Sequence, residues 1–318
     1  MKSKFKGVLG RKIKQHLELR RALGRDYKAN ETTLFKLNEL ALKRWPRKST
    51  LTRLMVQEYF KTNTHLRAIS RRNEMTYLRM FAQDLAAEGI ETYMPERRTL
   101  PKAKSNPRVH IFTEKEIKSV MEEARKLNGE IPPVMYPTLI GLYWVTGLRL
   151  CEAQMLNVGD VDIKERTIFV QNGKFRKSRL IPISKTTADA LERHIRSLKR
   201  LKFSTSSDAP LFLSARRTRI SKRVVSYTLG RLYKKAEIKT ANGKSPRNHD
   251  IRHSFATHAL KGVKRKGEDP SNMIPALALV MGHTSLVHTQ IYLHPSMETL
   301  QVASKAFEKK LSRFGRAS

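Results

Sequence analysis

The second half of this 318-residue sequence carries short motifs whose polar side chains could act on a phosphodiester without a metal ion. Cleavage of an anionic phosphodiester gathers charge on the non-bridging oxygens. Guanidinium groups offset that charge best, because they donate two hydrogen bonds at once and stay protonated. A nucleophile and an acid for the leaving oxygen are also needed. The sequence offers candidates for every part: Arg149, Lys174, His249, Arg252, His283 and Tyr292.

Local sequence indicates how these candidates would be presented. Arg149 directly follows an apolar helical stretch and a glycine break. His249 and Arg252 are three residues apart, which places them on one face at the start of a helix. Lys174 lies at the basic tip of a predicted hairpin, where a flexible ammonium group could reach a leaving oxygen. Tyr292 stands near the end of a histidine-rich stretch.

That histidine-rich stretch has two simpler interpretations, metal binding and core packing. His283, His288 and His294 are five and six residues apart, whereas two histidines four apart would share a helical face. No cysteine or clustered carboxylate accompanies them, so we expect no metal and no cofactor. A lone tyrosine is usually a core residue, but the companion motifs favour Tyr292 as a nucleophile.

The charge balance indicates a polyanionic partner. The chain has 64 Lys and Arg against 28 Asp and Glu, a net charge of +36. Residues 1–107 carry 25 basic and 10 acidic residues, and residues 108–318 carry 39 and 18. Because phosphate neutralisation releases counterions, the excess favours nucleic acid. Two basic domains joined by a linker predict a clamp around a DNA duplex.

The cysteine content and the hydropathy pattern predict a cytoplasmic protein. Cys151 is the single cysteine, so no intramolecular disulfide can form, and we expect it to be a small buried residue. The basic N-terminus lacks the apolar run of a secretory signal. The most apolar stretch, Val134–Leu148, is too short to span a bilayer and is interpreted as a buried helix.

The sequence of residues 1–107 indicates a helical domain that ends in a basic linker. Three apolar stripes have helical spacing. Gly89 is a plausible helix cap, and the proline-containing segment 96–107 marks the boundary. The opposite faces are basic, which suits DNA binding, although an ordinary soluble bundle would look similar. The stripes are Leu34, Leu37 and Ala41; Leu51, Leu54, Met55 and Tyr59; and Met75, Leu78, Phe81 and Leu85.

The sequence of residues 108–318 indicates a mostly helical domain with a small antiparallel sheet. A capping box at Thr113 opens a helix. Strands are predicted at 167–170 and 179–183, on either side of the turn dipeptide Asn172-Gly173. Further helices are expected from about Ser184, Ser221 and Asp250.

Taken together, the motifs resemble those of the tyrosine recombinases, or phage-type integrases. Thr146-Gly147-Leu148-Arg149 followed by Glu152, the hairpin lysine, His249-x-x-Arg252-His253, Gly282-His283 and a following tyrosine occur in that family's order. Five motifs in order are far more specific than one. The resemblance covers about residues 108–295, and more weakly the N-terminal part resembles the family's core-site-binding domain.

The resemblance implies roles for the matching residues. Arg149 and Arg252 would clamp the scissile phosphate. Tyr292 would attack it, leaving a 3′-phosphotyrosyl bond and a free 5′-hydroxyl, so that rejoining needs no ATP. Lys174 would protonate the departing oxygen, although Lys177 is a rival because Phe175 replaces a glycine that the family often has after this lysine.

Three further residues receive roles from the same resemblance. His249 would manage protons, as a base for the nucleophile, and His283 would donate a hydrogen bond to a phosphate oxygen. Glu152 would orient a basic group of the site. Arg149 alone could be an ordinary ion-pair partner of Glu152, but its place in the motif favours the catalytic role. His253 is interpreted as a packing or supporting residue. The segment Gly262–Asn272 is longer than the family's usual connection and is interpreted as a surface loop.

The function implied is site-specific DNA recombination for integration, excision or resolution of a mobile element or replicon. The resemblance implies a nucleoid-associated homo-tetramer on paired sites with inverted half-sites. It leaves open whether accessory DNA-bending proteins take part, and whether the amphipathic tail Met297–Phe314 packs on its own subunit or on a neighbour. A type IB topoisomerase and a non-catalytic DNA-binding protein are the alternative functions.

Overall fold

The computed structural model describes residues 4–24, 27–96, 109–171, 178–214, 216–282 and 289. The chain divides into two compact units, Met1–Asn106 and Pro107–Ser318. The described part is mostly helical with one small antiparallel sheet, which confirms the predicted fold class.

Within its described residues, the first unit packs four helices around one apolar core. Its helices are α1 (Gly7–Ala22), α2 (Lys28–Arg44), α3 (Arg53–Thr62) and α4 (Ala68–Ala87). The predicted stripes on α2 and α4 are buried, and Gly89 closes α4 with a φ of +75°. Leu54 contradicts the stripe assigned to α3, because 52% of it is exposed.

Helix α1 was not predicted, because its apolar residues are diluted by basic ones. Leu9, Ile13 and Leu17 recur every four residues and are fully buried against α2 and α4. This spacing gives one narrow apolar face on an otherwise charged helix. The basic residues between them occupy the other faces.

The second unit surrounds a larger core with seven helices and three strands among its described residues. Thr113 opens α5 with the predicted capping box, since its hydroxyl and Glu116 bond each other's backbone N–H groups. The elements are α5 (Glu114–Arg125), α6 (Pro132–Thr146), α7 (Leu150–Met155), β1 (Val161–Asp162), β2 (Thr167–Val170), β3 (Arg179–Pro182), α8 (Lys185–Arg200), α9 (Lys222–Lys235), α10 (Asn248–Arg265) and α11 (Ile274–Met281).

The sheet contains the two predicted strands and one strand that was not predicted. Strand β2 lies in the centre and pairs antiparallel with both neighbours, with Ile168 opposite Val161 and Ile181. Strand β1 is only two residues long, too short to show alternation in the sequence. The hairpin turn at 172–177 lies outside the described residues.

The connection before α11 differs from the predicted surface loop. Helix α10 continues through Gly262 to Arg265, and Gly267 ends it with a φ of +81°. A short 3₁₀ turn, Pro270–Met273, then leads directly into α11. The loop prediction is therefore wrong for residues 262–265 and 270–272.

Candidate active site

The C-terminal end of α11 is bound by arginines from three different elements. The last carbonyls of a helix have no intrahelical donor and carry the negative end of the helix dipole, so they attract cations. Three guanidinium groups therefore converge on consecutive residues of the chain. Arg179 Nε donates to Val280 O at 2.8 Å, Arg252 Nη2 to Met281 O at 2.6 Å, and Arg149 Nη2 to Gly282 O at 2.8 Å.

Arg149 stands at the N-terminus of α7 and is fixed by Glu152. The Glu152 carboxylate accepts from the Arg149 backbone N–H at 3.0 Å and from its Nη1 at 2.7 Å. Only 5% of the Glu152 side chain is exposed. Burial alone would raise the pKa of Glu152, but hydrogen bonds from Arg179 and Arg149 outweigh it and hold that pKa below its usual range. The ion pair and the orienting contact are thus the same interaction.

Arg252 lies on α10 and is buried at 1% exposure. Its Nη1 donates to Gly147 O at 2.7 Å, so one guanidinium joins the end of α6 to the end of α11. Gly147 ends α6 in the left-handed conformation with a φ of +59°. A Cβ there would lie 2.3 Å from Cδ1 of Phe255, so the break that presents Arg149 requires glycine.

The sequence prediction missed Arg179 as a member of this cluster. It begins β3, and its guanidinium faces Glu152 with Nη2 2.8 Å from Oε2 and Nη1 3.3 Å from Oε1. Only 8% of the side chain is exposed. Gly282 permits the approach, because a Cβ at that position would lie 2.9 Å from Arg179 Nη1. The available signal was an arginine next to the predicted hairpin tip.

His249 lies in the first turn of α10 and is solvent-exposed on one side. Its ring packs edge-on against His253, with ring centroids 4.8 Å apart. Partial burial, then the charges of His253 and Arg252, lower the pKa of His249 to about 4. The imidazole is therefore neutral at pH 7 and offers one nitrogen as a hydrogen-bond acceptor.

The start of α10 is anchored by Asp250, which is buried. Its carboxylate accepts from the Arg247 backbone N–H at 3.0 Å and from Arg247 Nη2 at 2.6 Å. Ser254, one turn later, donates to Asp250 O and accepts from the backbone N–H of Phe112. These contacts fix the helical face that carries His249.

Cys151 is exposed, which contradicts the prediction of a buried residue. It lies in the first turn of α7 and lines a cavity of about 560 Å³ beside Arg149. Arg219 lines the same cavity and donates to the carbonyls of Gln154 and Leu156 at 3.1 and 3.0 Å. Arg219 therefore supports the C-terminal end of α7, while Glu152 caps the other end.

Three of the predicted site residues and one rival residue lie in parts of the chain that the structure does not describe. Lys174 and its rival Lys177, as well as His283 and Tyr292, lie outside the described residues, as does the tail Met297–Phe314. Among the residues that the structure describes, no three His, Cys, Asp or Glu side chains are grouped as metal ligands. No helix in the described ranges is long and apolar enough to cross a membrane.

Comparison with known proteins identifies the family of this chain. Residues 110–299 match the model of the phage integrase family, which spans α5 to α11 and every motif of the site. The integrase/recombinase-like protein y4rE of Sinorhizobium fredii is 30% identical over 303 residues, covering 95% of this chain and 96% of that protein. Tyrosine recombinase XerA of Pyrococcus horikoshii is 31% identical over 216 residues, covering 68% and 67%.

Solved structures share the fold. XerH recombinase in a post-cleavage complex with its difH substrate has a TM-score of 0.65 at 18% identity, covering 88% of this chain and 79% of that chain. The Tn1549 transposon integrase bound to transposon end DNA also has a TM-score of 0.65, at 17% identity and with 93% and 98% covered. The present chain belongs to the phage integrase family of tyrosine recombinases. It is a tyrosine-type site-specific DNA recombinase.

Proposed function

We propose that Arg149, Arg252 and Tyr292 form the centre of the strand-cleaving site of this recombinase. The observation that carries the proposal is the convergence of Arg149 and Arg252 on the adjacent carbonyls of Gly282 and Met281. The two arginines come from motifs about a hundred residues apart. Their acceptors, Gly282 and Met281, stand at the start of the stretch that leads to Tyr292.

Two guanidinium groups held side by side suit a phosphate whose charge grows during the reaction. Each can donate two parallel hydrogen bonds and none of their charge is lost near neutral pH. The carbonyl contacts fix both groups before DNA binds, so little reorganisation is needed in the transition state. In the proposal, Arg149 and Arg252 contact the non-bridging oxygens of the scissile phosphate.

The proposed reaction exchanges one phosphate ester for another. The Tyr292 Oη attacks phosphorus, the bond from phosphorus to the 5′-oxygen breaks, and a 3′-phosphotyrosyl ester remains. The phenol proton passes to His249, which is neutral at pH 7. Lys174 gives a proton to the departing 5′-oxygen, and His283 donates a hydrogen bond to a phosphate oxygen. A 5′-hydroxyl of another strand reverses these steps to rejoin the DNA.

The two units have separate roles in the proposal. Residues 1–107 form the core-site DNA-binding domain, with its basic linker, and residues 108–318 form the catalytic domain with the tail helix. Two copies occupy inverted half-sites, and a homo-tetramer pairs two sites and exchanges strands in two rounds. The protein acts in the cytoplasm on nucleoid DNA. The excess of 64 basic over 28 acidic residues supports backbone binding in both units.

The test traps the covalent intermediate. Covalent complexes formed in the host are recovered and their DNA is sequenced, and a nicked suicide duplex with that site is then incubated with the purified protein. Wild type should accumulate on a 3′-phosphate, whereas Tyr292→Phe should bind equally well and form no adduct. Tyr227→Phe, which removes an exposed hydroxyl on α9, is the matched control and should react normally.

Two results would overturn the proposal. An adduct on a 5′-phosphate or through another residue would remove Tyr292 from its role. Arg149→Lys and Arg252→Lys variants that lose DNA affinity as strongly as cleavage would show that these arginines only hold the backbone. Relaxation of supercoiled DNA without any requirement for paired sites would instead indicate a topoisomerase reaction.

A further inference from the structure

Arg179 makes contacts that suit a positioning residue rather than a phosphate ligand. Its side chain is 8% exposed, and three of its N–H groups are directed at protein acceptors. Two of these face the carboxylate of Glu152 and the third faces Val280 O. All three nitrogens of the Arg179 guanidinium thus have protein acceptors, which suits a role in holding the site together.

The Glu152 carboxylate is shared between Arg179 and Arg149 in a defined arrangement. Its Oε1 accepts from Nη1 of both arginines, at 2.7 Å from Arg149 and 3.3 Å from Arg179. Its Oε2 accepts from the Arg149 backbone N–H at 3.0 Å and from Arg179 Nη2 at 2.8 Å. Hydrogen bonds to both oxygens restrict rotation of the carboxylate and orient the Arg149 side chain that is bonded to it.

Arg179 also joins the sheet to the end of α11. Its Nε bond to Val280 O holds the last turn of that helix, and Gly282 lies against the guanidinium. The carbonyl of Gly282 is the second acceptor of Arg149. Arg179 thus supports both groups that orient the Arg149 guanidinium.

We propose that Arg179 is a positioning residue for strand cleavage, which locks Glu152 and the last turn of α11 so that Arg149 meets the scissile phosphate in one orientation. The inference rests on the proposed function, because it concerns the phosphate contact assigned there to Arg149. A lysine cannot replace Arg179, since a single ammonium group lacks the planar fork that reaches two carboxylate oxygens and a carbonyl together.

The test separates orientation of the clamp from general stability by changing the charge of the substrate. A methylphosphonate at the scissile position replaces one non-bridging oxygen by methyl and removes the negative charge, so the arginine clamp matters less. Arg179→Met and Arg179→Lys are compared with wild type on phosphodiester and methylphosphonate suicide duplexes. Cleavage rates at saturating protein, DNA affinity and thermal unfolding are measured for each.

Arg179→Met should slow cleavage of the phosphodiester by about 100-fold, the size of loss that a small misplacement of a reacting group can cause. DNA affinity should change little. On the neutral methylphosphonate, the loss of cleavage rate relative to wild type should become much smaller. The same reduction is expected for Arg149→Lys. Arg179→Lys keeps the charge and should show the same substrate dependence, which guards against loss of folding in the methionine variant.

Arg219→Met is the matched control, because Arg219 holds the opposite end of α7 through carbonyl contacts and Asn157 Oδ1. Its loss of cleavage rate should be the same on the two substrates. If the Arg179 variants also lose the same fraction of their rate on both substrates, Arg179 is a structural residue and the inference is overturned. If wild type itself forms no phosphotyrosyl adduct on the site DNA, the proposed function fails instead, and the two failures are therefore distinguishable.

Discussion

Substitution of Glu152 by glutamine tests how the arginine cluster is held together. The carboxylate is 5% exposed and accepts four hydrogen bonds, at 2.7 to 3.3 Å, from Arg149 and Arg179. A glutamine amide replaces one acceptor oxygen by an NH₂ group that points at other donors. Two largely buried guanidinium groups then lose their shared counter-charge.

The burial of these ion pairs sets the expected loss of folding stability. Removing one partner of a buried ion pair costs about 3–5 kcal/mol, because the remaining charge stays buried. A domain has a total stability of only about 5–15 kcal/mol. With a urea dependence of about 3 kcal/mol per M for a large domain, the unfolding midpoint should fall by roughly 1–2 M.

The two tryptophans of the chain allow the affected unit to be observed alone. Trp45 lies in the first unit and Trp144 lies on α6 of the second. In a Trp45→Phe background, the fluorescence of Trp144 reports unfolding of the unit that contains Glu152. The matched control is Glu192→Gln, which removes a surface pair with Arg196 at 2.6 Å.

The control pair has the same chemistry but is exposed, with 71% of Arg196 and 40% of Glu192 accessible. Exposed helical pairs of this spacing contribute about 0.3–0.5 kcal/mol, so its midpoint should move little. A Glu152→Gln midpoint no lower than that of Glu192→Gln would refute the reasoning. It would show that the cluster is not held by its shared carboxylate.

The pH dependence gives an independent test of the same carboxylate. The pKa of Glu152 is lowered in the folded state, so the unfolded chain binds a proton at higher pH than the folded one. Its stabilising contribution is complete above the unfolded-state value and is lost as pH falls through the folded value. The difference between wild type and Glu152→Gln should therefore be largest near pH 7 and shrink in acid.

Three further predictions concern the glycine break, the histidine and the DNA contacts. Gly147→Ala should lower both stability and cleavage rate, because its Cβ would clash with Phe255. Gly243→Ala, which has a similar φ of +69° with nothing within 4 Å, should lower stability alone. Because the pKa of His249 is lowered to about 4, stability should decline as pH falls from about 6.5, and His249→Asn should flatten that decline in urea titrations. If the complex makes six to ten phosphate contacts, affinity measured by fluorescence anisotropy should fall by roughly 10³–10⁵ between 50 and 200 mM salt.

Local rules of sequence explain most of the fold. The capping box at Thr113, the strands that flank the hairpin and the glycine after α6 depend on residues only a few positions apart. Such signals can be read in one stretch of chain. Helix α1 was missed because its apolar face is only one residue wide at each turn.

Long-range contacts explain what the sequence could not predict about the site. Arg179 lies 101 residues from Val280, and Arg149 lies 133 residues from Gly282. No periodicity connects these positions, and backbone carbonyls as acceptors have no residue-type signal at all. Exposure of Cys151 was missed for a related reason, since the cavity that it lines is also bordered by residues distant in the sequence, such as Arg219.

The double contact of Arg252 affects how any loss of activity there should be interpreted. One nitrogen of its guanidinium binds Gly147 O and the other binds Met281 O, so the residue joins the ends of α6 and α11 as well as carrying charge. A lysine retains the charge but can follow only part of that geometry. A slow Arg252→Lys enzyme therefore combines lost phosphate stabilisation with a displaced α11. Its cleavage rate on the phosphodiester alone does not separate these two contributions. The neutral methylphosphonate substrate can divide them, because only the part of the penalty that depends on phosphate charge should disappear on it.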